Sequence, residues 1–179
     1  MKIRESKKII GLKVITPDIY TDRRGEFLEA LNTNVLNNLN LNNINQTMIS
    51  TSHYGVLRGL HYQVHEPLTQ IIQCIKGEVL DFAIDLRKNS ETFNNIFLRK
   101  ISDIKKNIIF LPPGLAHGYL SLSKKTIILY HVYGKYIKKF ERGINYNSLN
   151  LKLPFDPKVV NKRDKNWPGI DKAEIYEDL

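Results

Sequence analysis

The segment Gly55-Val56-Leu57-Arg58-Gly59-Leu60-His61-Tyr62-Gln63 carries an arginine and a histidine three residues apart in a strand-like stretch. A titratable base beside a cation can hold an anionic substrate and remove a proton from it. Spacing alone leaves a structural and a catalytic role for His61 about equally supported, because a lone histidine is often satisfied by backbone groups. The neighbouring Arg58, Tyr62 and Gln63 favour the catalytic role.

A second histidine, His117, follows the rigid turn Pro112-Pro113-Gly114, which delivers one side chain at a fixed place where a strand begins. The pattern P-x-G-x-x-H resembles the second motif of cupin barrels, where such a histidine often binds a metal. A cupin metal site would also need His-x-His in the first motif, and this chain has His61-Tyr62-Gln63 there. His53 and His65 lack paired ligand spacing. We therefore expect no catalytic metal.

Further candidates lie toward the carboxyl end of the chain. Tyr130, Tyr133 and Tyr136 crowd one segment just before Glu141-Arg142-Gly143-Ile144, and composition does not choose among them. Asp164 lies in the basic run Lys162-Arg163-Asp164-Lys165 and would by itself be interpreted as a surface charge.

Short segments rich in Val, Ile, Tyr and Phe recur between Gly, Pro, Asn or charged turns, which is typical of strands. Alternation places Asp81 and Asp85 on one strand face, so that face is not uniformly apolar. Lys76-Gly77 predicts a tight hairpin. The predicted strands are Gly11–Ile15, Gly25–Leu31, Ile44–Ser52, Arg58–Tyr62, Leu68–Lys76, Glu78–Leu86, Asn95–Ser102, Ile108–Leu111, Gly118–Ser121 and Ile127–Val132.

Helical signals are few. One short helix is predicted over Thr33–Leu41, and the tail after Pro157 holds helix-sized pieces broken by Pro168-Gly169. No internal repeat or low-complexity linker interrupts the chain. Many short strands without a βαβ rhythm predict a single all-β domain over residues 1–179, a sandwich or barrel with a few short peripheral helices.

The 179 residues carry a formal net charge of +9, yet the basic residues scatter along the chain. A nucleic-acid-binding face would group them with aromatic residues, so a basic surface that suits an anionic small substrate is favoured. No apolar run is long enough to span a membrane, and the first residues lack a signal peptide's apolar core. The single cysteine, Cys74, lies in an apolar segment and is expected in the core. These features predict a cytoplasmic protein.

Taken together, the motifs resemble the dTDP-4-dehydrorhamnose 3,5-epimerase family. They occur in family order over residues 15–168, nearly the whole chain. The resemblance implies a cupin-like antiparallel β-barrel, or jelly roll, without a metal. The matching segments are Asp22–Glu29, Gln46–Ser50, Gly55–Gln63, Gly77–Val79, Asp81–Arg87, Pro112–Gly118, Glu141–Ile144 and the segment around Asp164.

The resemblance also implies three catalytic roles. His61 matches the catalytic base, and Asp164 matches the carboxylate that orients this histidine and stabilises its imidazolium. Tyr136, five residues before Glu141, matches the proton donor on the opposite face of the sugar.

Substrate contacts are implied in the same way. Arg24, Gln46 and Arg58 match positions that contact the diphosphate or the sugar. Phe27 and Glu29 match the segment near the nucleotide base, and His117 is expected to line the pocket. This chain departs from the family at two positions: Gln70 replaces a usual lysine near the developing oxyanion, and Met48 replaces a frequent asparagine.

The chemistry implied is acid–base catalysis on a nucleotide-diphospho-4-keto-sugar. The C4 ketone acidifies the protons on C3 and C5, a base removes one, and an acid reprotonates the opposite face. No redox or metal cofactor is required. The resemblance further implies a homodimer, which would cover edge strands, and a pathway that makes sugars for surface polysaccharides.

The sequence leaves several alternatives open. The substrate is linked to dTDP or to another nucleotide, as in GDP-linked 6-deoxy-4-keto-heptoses, and inversion takes place at C3 alone or at C3 and C5. A related 3,4-ketoisomerase would use a similar histidine without the placement of Tyr136 and Asp164. A sugar-nucleotide-binding module without activity is the non-enzymatic alternative, for which Gln70 is the best evidence.

Overall fold

The structure, a computed structural model, describes residues 1–177 and 179, and this part of the chain is built mainly of strands. Two short helices accompany them, α1 (Thr33–Asn38) and α2 (Lys162–Lys165). The strands are β1 (Lys2–Glu5), β2 (Lys13–Thr16), β3 (Ile19–Asp22), β4 (Gly25–Leu28), β5 (Gln46–His53), β6 (Val56–Gln63), β7 (Thr69–Lys76), β8 (Glu78–Asp85), β9 (Ile96–Ser102), β10 (Ile108–Leu111), β11 (Leu115–Ser121), β12 (Lys125–Tyr133), β13 (Glu141–Gly143) and β14 (Val159–Val160).

Twelve of these strands form two sheets. The first sheet has the order β1-β2-β10-β7-β12-β5, and the second has the order β13-β6-β11-β8-β9, with β14 added beside β6. The pairings are antiparallel except that of β14 with β6. Strands β3 and β4 form a separate hairpin. This arrangement confirms the predicted all-β, cupin-like jelly roll with few short helices.

The core between the sheets follows from period-two alternation along their strands. Ile72 and Cys74 of the first sheet pack with Val79 and Ala83 of the second in one buried apolar cluster. Each fully buried aliphatic side chain of this kind stabilises the fold by roughly 1.5–3 kcal/mol. Cys74 is buried in this cluster, which confirms the predicted core position. Burial also raises the pKa of its thiol to about 12.

The outer faces of both sheets are covered by segments outside them. Val35 of helix α1 and Leu39, which follows the helix, pack against the first sheet. The Asn32 side chain caps the helix by accepting from the Val35 N–H at 2.9 Å. The carboxyl-terminal segment packs Leu149 and Tyr176 against the second sheet. In the described part of the chain, no helix is long and apolar enough to cross a membrane.

The ten predicted strands are all present, but the predicted hairpin at Lys76-Gly77 is wrong. Strand β7 belongs to the first sheet and β8 to the second, so Gly77 turns the chain from one sheet to the other. Its φ of 77° and its N–H bond to Asp103 Oδ2 at 2.9 Å define this turn. A glycine between two strands specifies a sharp turn, whereas the pairing partner is decided by packing between the sheets.

Candidate active site

A cavity of about 690 Å³ opens between the two sheets. Its walls come from the inner faces of β5, β7 and β12 on one side and of β6 and β11 on the other. Helix α2 and strand β13 close part of the rim. The polar lining includes Gln46, Arg58, His61, Gln70, His117, Tyr130, Tyr136 and Asp164. Seven of these eight residues are site residues that the sequence predicts, and the structure brings them together around one space.

His61 forms a close pair with Asp164. Strand β14 runs parallel to β6, and Asn161 then caps α2, so the chain returns Asp164 to the middle of β6. Asp164 Oδ1 lies 2.7 Å from His61 Nε2, and Oδ2 accepts from the Gly59 N–H at 3.2 Å. The Asp164 side chain is 4% exposed and that of His61 is 30% exposed. A buried carboxylate therefore orients an imidazole that faces the cavity.

The charge of Asp164 decides the tautomer of His61. Burial alone would raise the pKa of Asp164, but bonds from His61 and Gly59 and the nearby Arg163 charge lower it below 3.8. An ionised carboxylate only accepts hydrogen bonds, so His61 Nε2–H donates to it. The lone pair of the neutral imidazole then lies on Nδ1, which is free to act as a base.

The other predicted catalytic residue, Tyr136, lies at the rim of the cavity. Its side chain is 46% exposed, and its hydroxyl donates to Glu141 Oε2 at 3.0 Å. Partial burial and the bond to this carboxylate raise the pKa of Tyr136. The phenol is thus held by a carboxylate at the entrance.

Tyr130 lies deeper, and the sequence did not single it out. Tyr130 shares the inner face of β12 with Ile128 and Val132, because side chains two residues apart in a strand point to the same side. Strand β12 belongs to the sheet opposite that of His61. Its ring contacts that of His117 edge-on, with centroids 6.4 Å apart. Burial raises the pKa of Tyr130 well above 10. The period-two alternation of the predicted strand, counted from buried Ile128, is the signal that identifies this position.

His117 forms a second histidine–carboxylate pair. Its Nε2 lies 2.8 Å from Asp81 Oδ2, and both side chains are buried. Asp81 is on the inner face of β8, as is the buried Asp85, which confirms that this face is not uniformly apolar. Within residues 1–177 and 179, no group of three or more His, Cys, Asp or Glu side chains could hold a metal ion. The metal-free site stays a prediction.

The remaining walls carry the expected polar contacts and both departures from the family pattern. Arg58 is held by Ser52 Oγ at 3.0 Å and by the Thr51 carbonyl at 3.2 Å. Gln46 and Gln70 line the side formed by the first sheet, and Met48 lies beside Tyr130 on the neighbouring strand. Arg58 thus supplies a fixed positive charge opposite a neutral wall.

Three predicted substrate contacts lie elsewhere. Arg24 and Phe27 belong to the β3–β4 hairpin, where Arg24 bonds Asp22 and Phe27 is 68% exposed beside Tyr20. Glu29 follows the hairpin and accepts from the Asn32 side chain at 2.6 Å. None of Arg24, Phe27 and Glu29 is among the described residues that line the cavity. These three residues therefore do not contribute to the cavity of their own chain.

Comparisons with known proteins agree with this geometry. The family model described as dTDP-4-dehydrorhamnose 3,5-epimerase matches residues 6–172. The dTDP-4-dehydrorhamnose 3,5-epimerase of Methanothermobacter thermautotrophicus is 34% identical, with 93% of each chain covered. That of Shigella flexneri is 35% identical, with 94% of this chain and 96% of the relative covered.

A solved structure shares the whole architecture. The dTDP-6-deoxy-D-glucose-3,5-epimerase of Legionella pneumophila, in complex with dTDP-4-keto-L-rhamnose, superposes with a TM-score of 0.93. It is 29% identical, and 99% of this chain and 98% of that chain are covered. Because the matched residues include His61 and Asp164 and span nearly the whole chain, this protein belongs to the dTDP-4-dehydrorhamnose 3,5-epimerase family of isomerases.

Proposed function

We propose that the protein inverts C3 and C5 of the sugar in dTDP-4-dehydro-6-deoxyglucose, in a pathway that makes sugars for surface polysaccharides. The single observation that carries this proposal is the His61–Asp164 pair, with Nε2 bound to a buried carboxylate and the imidazole facing the cavity. The dTDP-sugar relatives favour dTDP as the nucleotide.

The first step is removal of a proton from C3 or C5. His61 Nδ1 takes the proton, and the electron pair of the broken C–H bond moves into the enolate whose oxygen is on C4. Asp164 then faces an imidazolium, whose charge it stabilises. The side-chain amide of Gln70 lines the same space and can donate a hydrogen bond to the enolate oxygen. A good donor of this kind contributes roughly 3–4 kcal/mol.

The second step returns a proton from the opposite face. The family resemblance assigns this role to Tyr136, whose hydroxyl is bound to Glu141 at the rim. The geometry favours Tyr130 as a second candidate, because it lies on the sheet that faces His61 and keeps its proton in a buried position. We propose Tyr130 as the donor at the reacting carbons and Tyr136 as a contact of the nucleotide end. General acid catalysis of this kind contributes ~10²–10⁴-fold.

The nucleotide end requires residues that this chain does not place in its own cavity. We propose a homodimer in which the β3–β4 hairpin of one protomer extends over the cavity of its partner. The exposed aromatic ring of Phe27 and the exposed guanidinium of Arg24 support this arrangement, because they suit a nucleotide base and a diphosphate. A cytoplasmic location is part of the same proposal, since the one cysteine is buried and cannot form an internal disulfide.

The proposal is tested by exchange of sugar protons in deuterated water. 4-Keto sugars linked to dTDP, GDP and CDP, including a heptose, are incubated with the protein, and C3 and C5 are followed by proton NMR and mass spectrometry. We expect exchange at both carbons of the dTDP substrate, lost in His61→Ala. The matched control is His65→Ala, since His65 is exposed and packs only edge-on against Phe140.

The other outcomes identify the alternatives. Exchange at C3 alone would make the protein a monoepimerase, and exchange only with a GDP-linked heptose would change the substrate. A product with the ketone moved to C3 would indicate a 3,4-ketoisomerase. Tight binding with no exchange for any sugar would contradict the enzyme and leave a binding module.

A further inference from the structure

Arg163 contacts two carboxylates at the cavity, those of Glu141 and Asp164. The proposed substrate contacts do not account for this arrangement. We propose that Arg163 is a positioning residue that couples Tyr136 at the rim to the His61–Asp164 pair and holds the orientation of that pair. This inference rests on the proposed function, since it concerns the base of that reaction.

One guanidinium reaches three side chains. Arg163 Nη1 donates to Glu141 Oε2 at 2.8 Å, Nη2 lies 3.3 Å from His61 Nε2, and Nε lies 3.6 Å from Asp164 Oδ1. The planar fork of arginine allows this bridging, whereas the single ammonium of lysine would not reach all three groups. One positive charge thus joins two carboxylates and lies beside the imidazole, whose Nε2–H donates to Asp164.

The position of Arg163 is fixed by its surroundings. Its guanidinium lies 6.0 Å from the centre of the Trp167 ring, within the range of a cation–π contact. The indole in turn packs on Gly143, where an added Cβ would overlap it. Strand β13 therefore provides both the carboxylate of Glu141 and, at Gly143, the surface on which Trp167 packs. The Arg163 N–H is also capped by Asn161 Oδ1 at 3.1 Å.

The link continues to the rim. Glu141 Oε2 accepts from Tyr136 and from Arg163, so one oxygen joins the phenol to the guanidinium. The backbone next to Tyr136 is held as well, since the Ile137 N–H donates to Gln63 Oε1 at 2.6 Å. If bound nucleotide displaced Tyr136, the contacts through Glu141 would consequently shift Arg163 and, with it, the His61–Asp164 pair.

The charge of Arg163 has a direct chemical consequence. The Arg163 guanidinium is one of the groups that lower the pKa of Asp164, so it favours the carboxylate form to which His61 Nε2–H donates. Arg163 therefore helps Asp164 to hold the orientation of His61. The other titratable or charged groups among the described residues that line the cavity are Glu141 of β13, Arg58 and Tyr62 of β6, His117 and Tyr119 of β11, Tyr130 of β12 and Tyr136.

The test compares Arg163→Gln and Arg163→Lys with the control Arg142→Gln. Arg142 is the neighbour of Glu141 on β13, and it pairs with exposed Glu174 away from the cavity. In Arg163→Gln we expect kcat for exchange to fall about tenfold with KM nearly unchanged, because the base loses its fixed position. Arg163→Lys should restore part of this loss, and Arg142→Gln should match the wild type.

A second readout is independent of activity. The imidazole signals of His61 are recorded by NMR at one fixed pH, and we expect them to move in Arg163→Gln but not in Arg142→Gln. Unchanged His61 signals in Arg163→Gln, or an unchanged kcat, would overturn the inference. If the wild type exchanges no sugar proton, the proposed function fails, and the NMR comparison still decides the role of Arg163.

The coupling to the rim is tested by a double-mutant cycle. If Glu141 joins Tyr136 to Arg163, the effects of Tyr136→Phe and Arg163→Gln on kcat/KM are not additive. We expect the double variant to be no slower than the slower single variant. Fully multiplicative losses would show that the two residues act independently and would overturn the coupling.

Discussion

His61 and His117 lie directly opposite each other on the antiparallel strands β6 and β11, and each imidazole binds a carboxylate. The partner of His61 is Asp164 from α2, whereas that of His117 is Asp81 from β8. The side chain of His61 is 30% exposed and that of His117 is 7% exposed. The more accessible imidazole is the one that can meet a sugar carbon, which supports His61 as the proposed base, whereas the buried His117–Asp81 pair forms a fixed wall.

The His61–Asp164 pair predicts the effect of Asp164→Asn. The neutral amide can donate as well as accept, so it no longer enforces the tautomer with the lone pair on Nδ1, and it cannot stabilise the imidazolium. We expect kcat for C3 and C5 exchange to fall ~10³–10⁴-fold, with KM nearly unchanged. Steady-state kinetics on the dTDP-sugar measure both. The control, Asp156→Asn, changes an exposed carboxylate and should retain full activity.

A rise of KM with unchanged kcat in Asp164→Asn would mean that Asp164 binds substrate instead of orienting the base. Thermal unfolding of the variant separates either result from misfolding.

Replacement of each tyrosine by phenylalanine distinguishes the two candidate proton donors. We expect Tyr130→Phe to lower kcat by ~10²–10⁴-fold and Tyr136→Phe mainly to raise KM. Burial raises the pKa of Tyr130 well above 10, so the phenol stays protonated and no alkaline limb from this residue is expected below about pH 10. The pH dependence of kcat in the wild type measures this. The reverse pattern would return the donor role to Tyr136, as the sequence predicts.

Much of this fold follows from sequence patterns because they are local. Alternating Val, Ile and Phe predict the strands, and the apolar run around Cys74 predicts a buried position. Strands β1, β3, β13 and β14 escape prediction because they have two to four residues and too little alternation to be detected. The hairpin at Gly77 fails because the choice of pairing partner depends on contacts distant in sequence.

The site shows the same division. His61 and Arg58 share one strand, so their neighbourhood can be predicted from spacing. Asp164 lies 103 residues from His61, in a run of lysine and arginine that looks like solvent-exposed surface. Asp164 is buried because β14 pairs in parallel with β6 and brings α2 against that strand. Strand β14 has only two residues, which is too short for the sequence to predict this pairing. Only the resemblance to a family identifies Asp164 from the sequence.

A hairpin that serves the partner's cavity predicts complementation between two inactive variants. One variant is His61→Ala, and the other is the double replacement Arg24→Ala and Phe27→Ala. A mixed dimer would combine the intact histidine of one protomer with the intact hairpin of its partner. We expect each variant alone to be nearly inactive and an equal mixture, after exchange of subunits, to recover roughly a quarter of wild-type activity.

The quarter arises because half of randomly formed dimers are mixed, and each has one complete site. No recovery, despite mixed dimers detected by tagged subunits, would show that each hairpin serves its own chain. A protein that runs as a monomer in size-exclusion chromatography would contradict the dimer itself.

The last prediction concerns stability and the buried ion pair of Asp85 with Arg87. Asp85 is fully buried and accepts from the Arg87 guanidinium at 2.7 Å and from the hydroxyls of Ser90 and Thr92. Burial alone would raise the pKa of Asp85, but these bonds lower it below 3.8. The unfolded chain therefore binds this proton at higher pH than the folded chain does, so the pair stabilises the fold above pH 3.8. This contribution is lost as the pH falls further.

Asp85→Asn should consequently lower the free energy of unfolding by roughly 3–5 kcal/mol near neutral pH, with a smaller difference at pH values well below 3.8. Urea unfolding followed by circular dichroism from about pH 2 to about pH 7 measures this difference. The matched control is Asp22→Asn, because Asp22 also pairs with an arginine two residues later, but on an exposed hairpin. The control should change stability little, since solvent screens exposed pairs. Equal losses in both variants would show that burial does not decide the strength of the Asp85 pair.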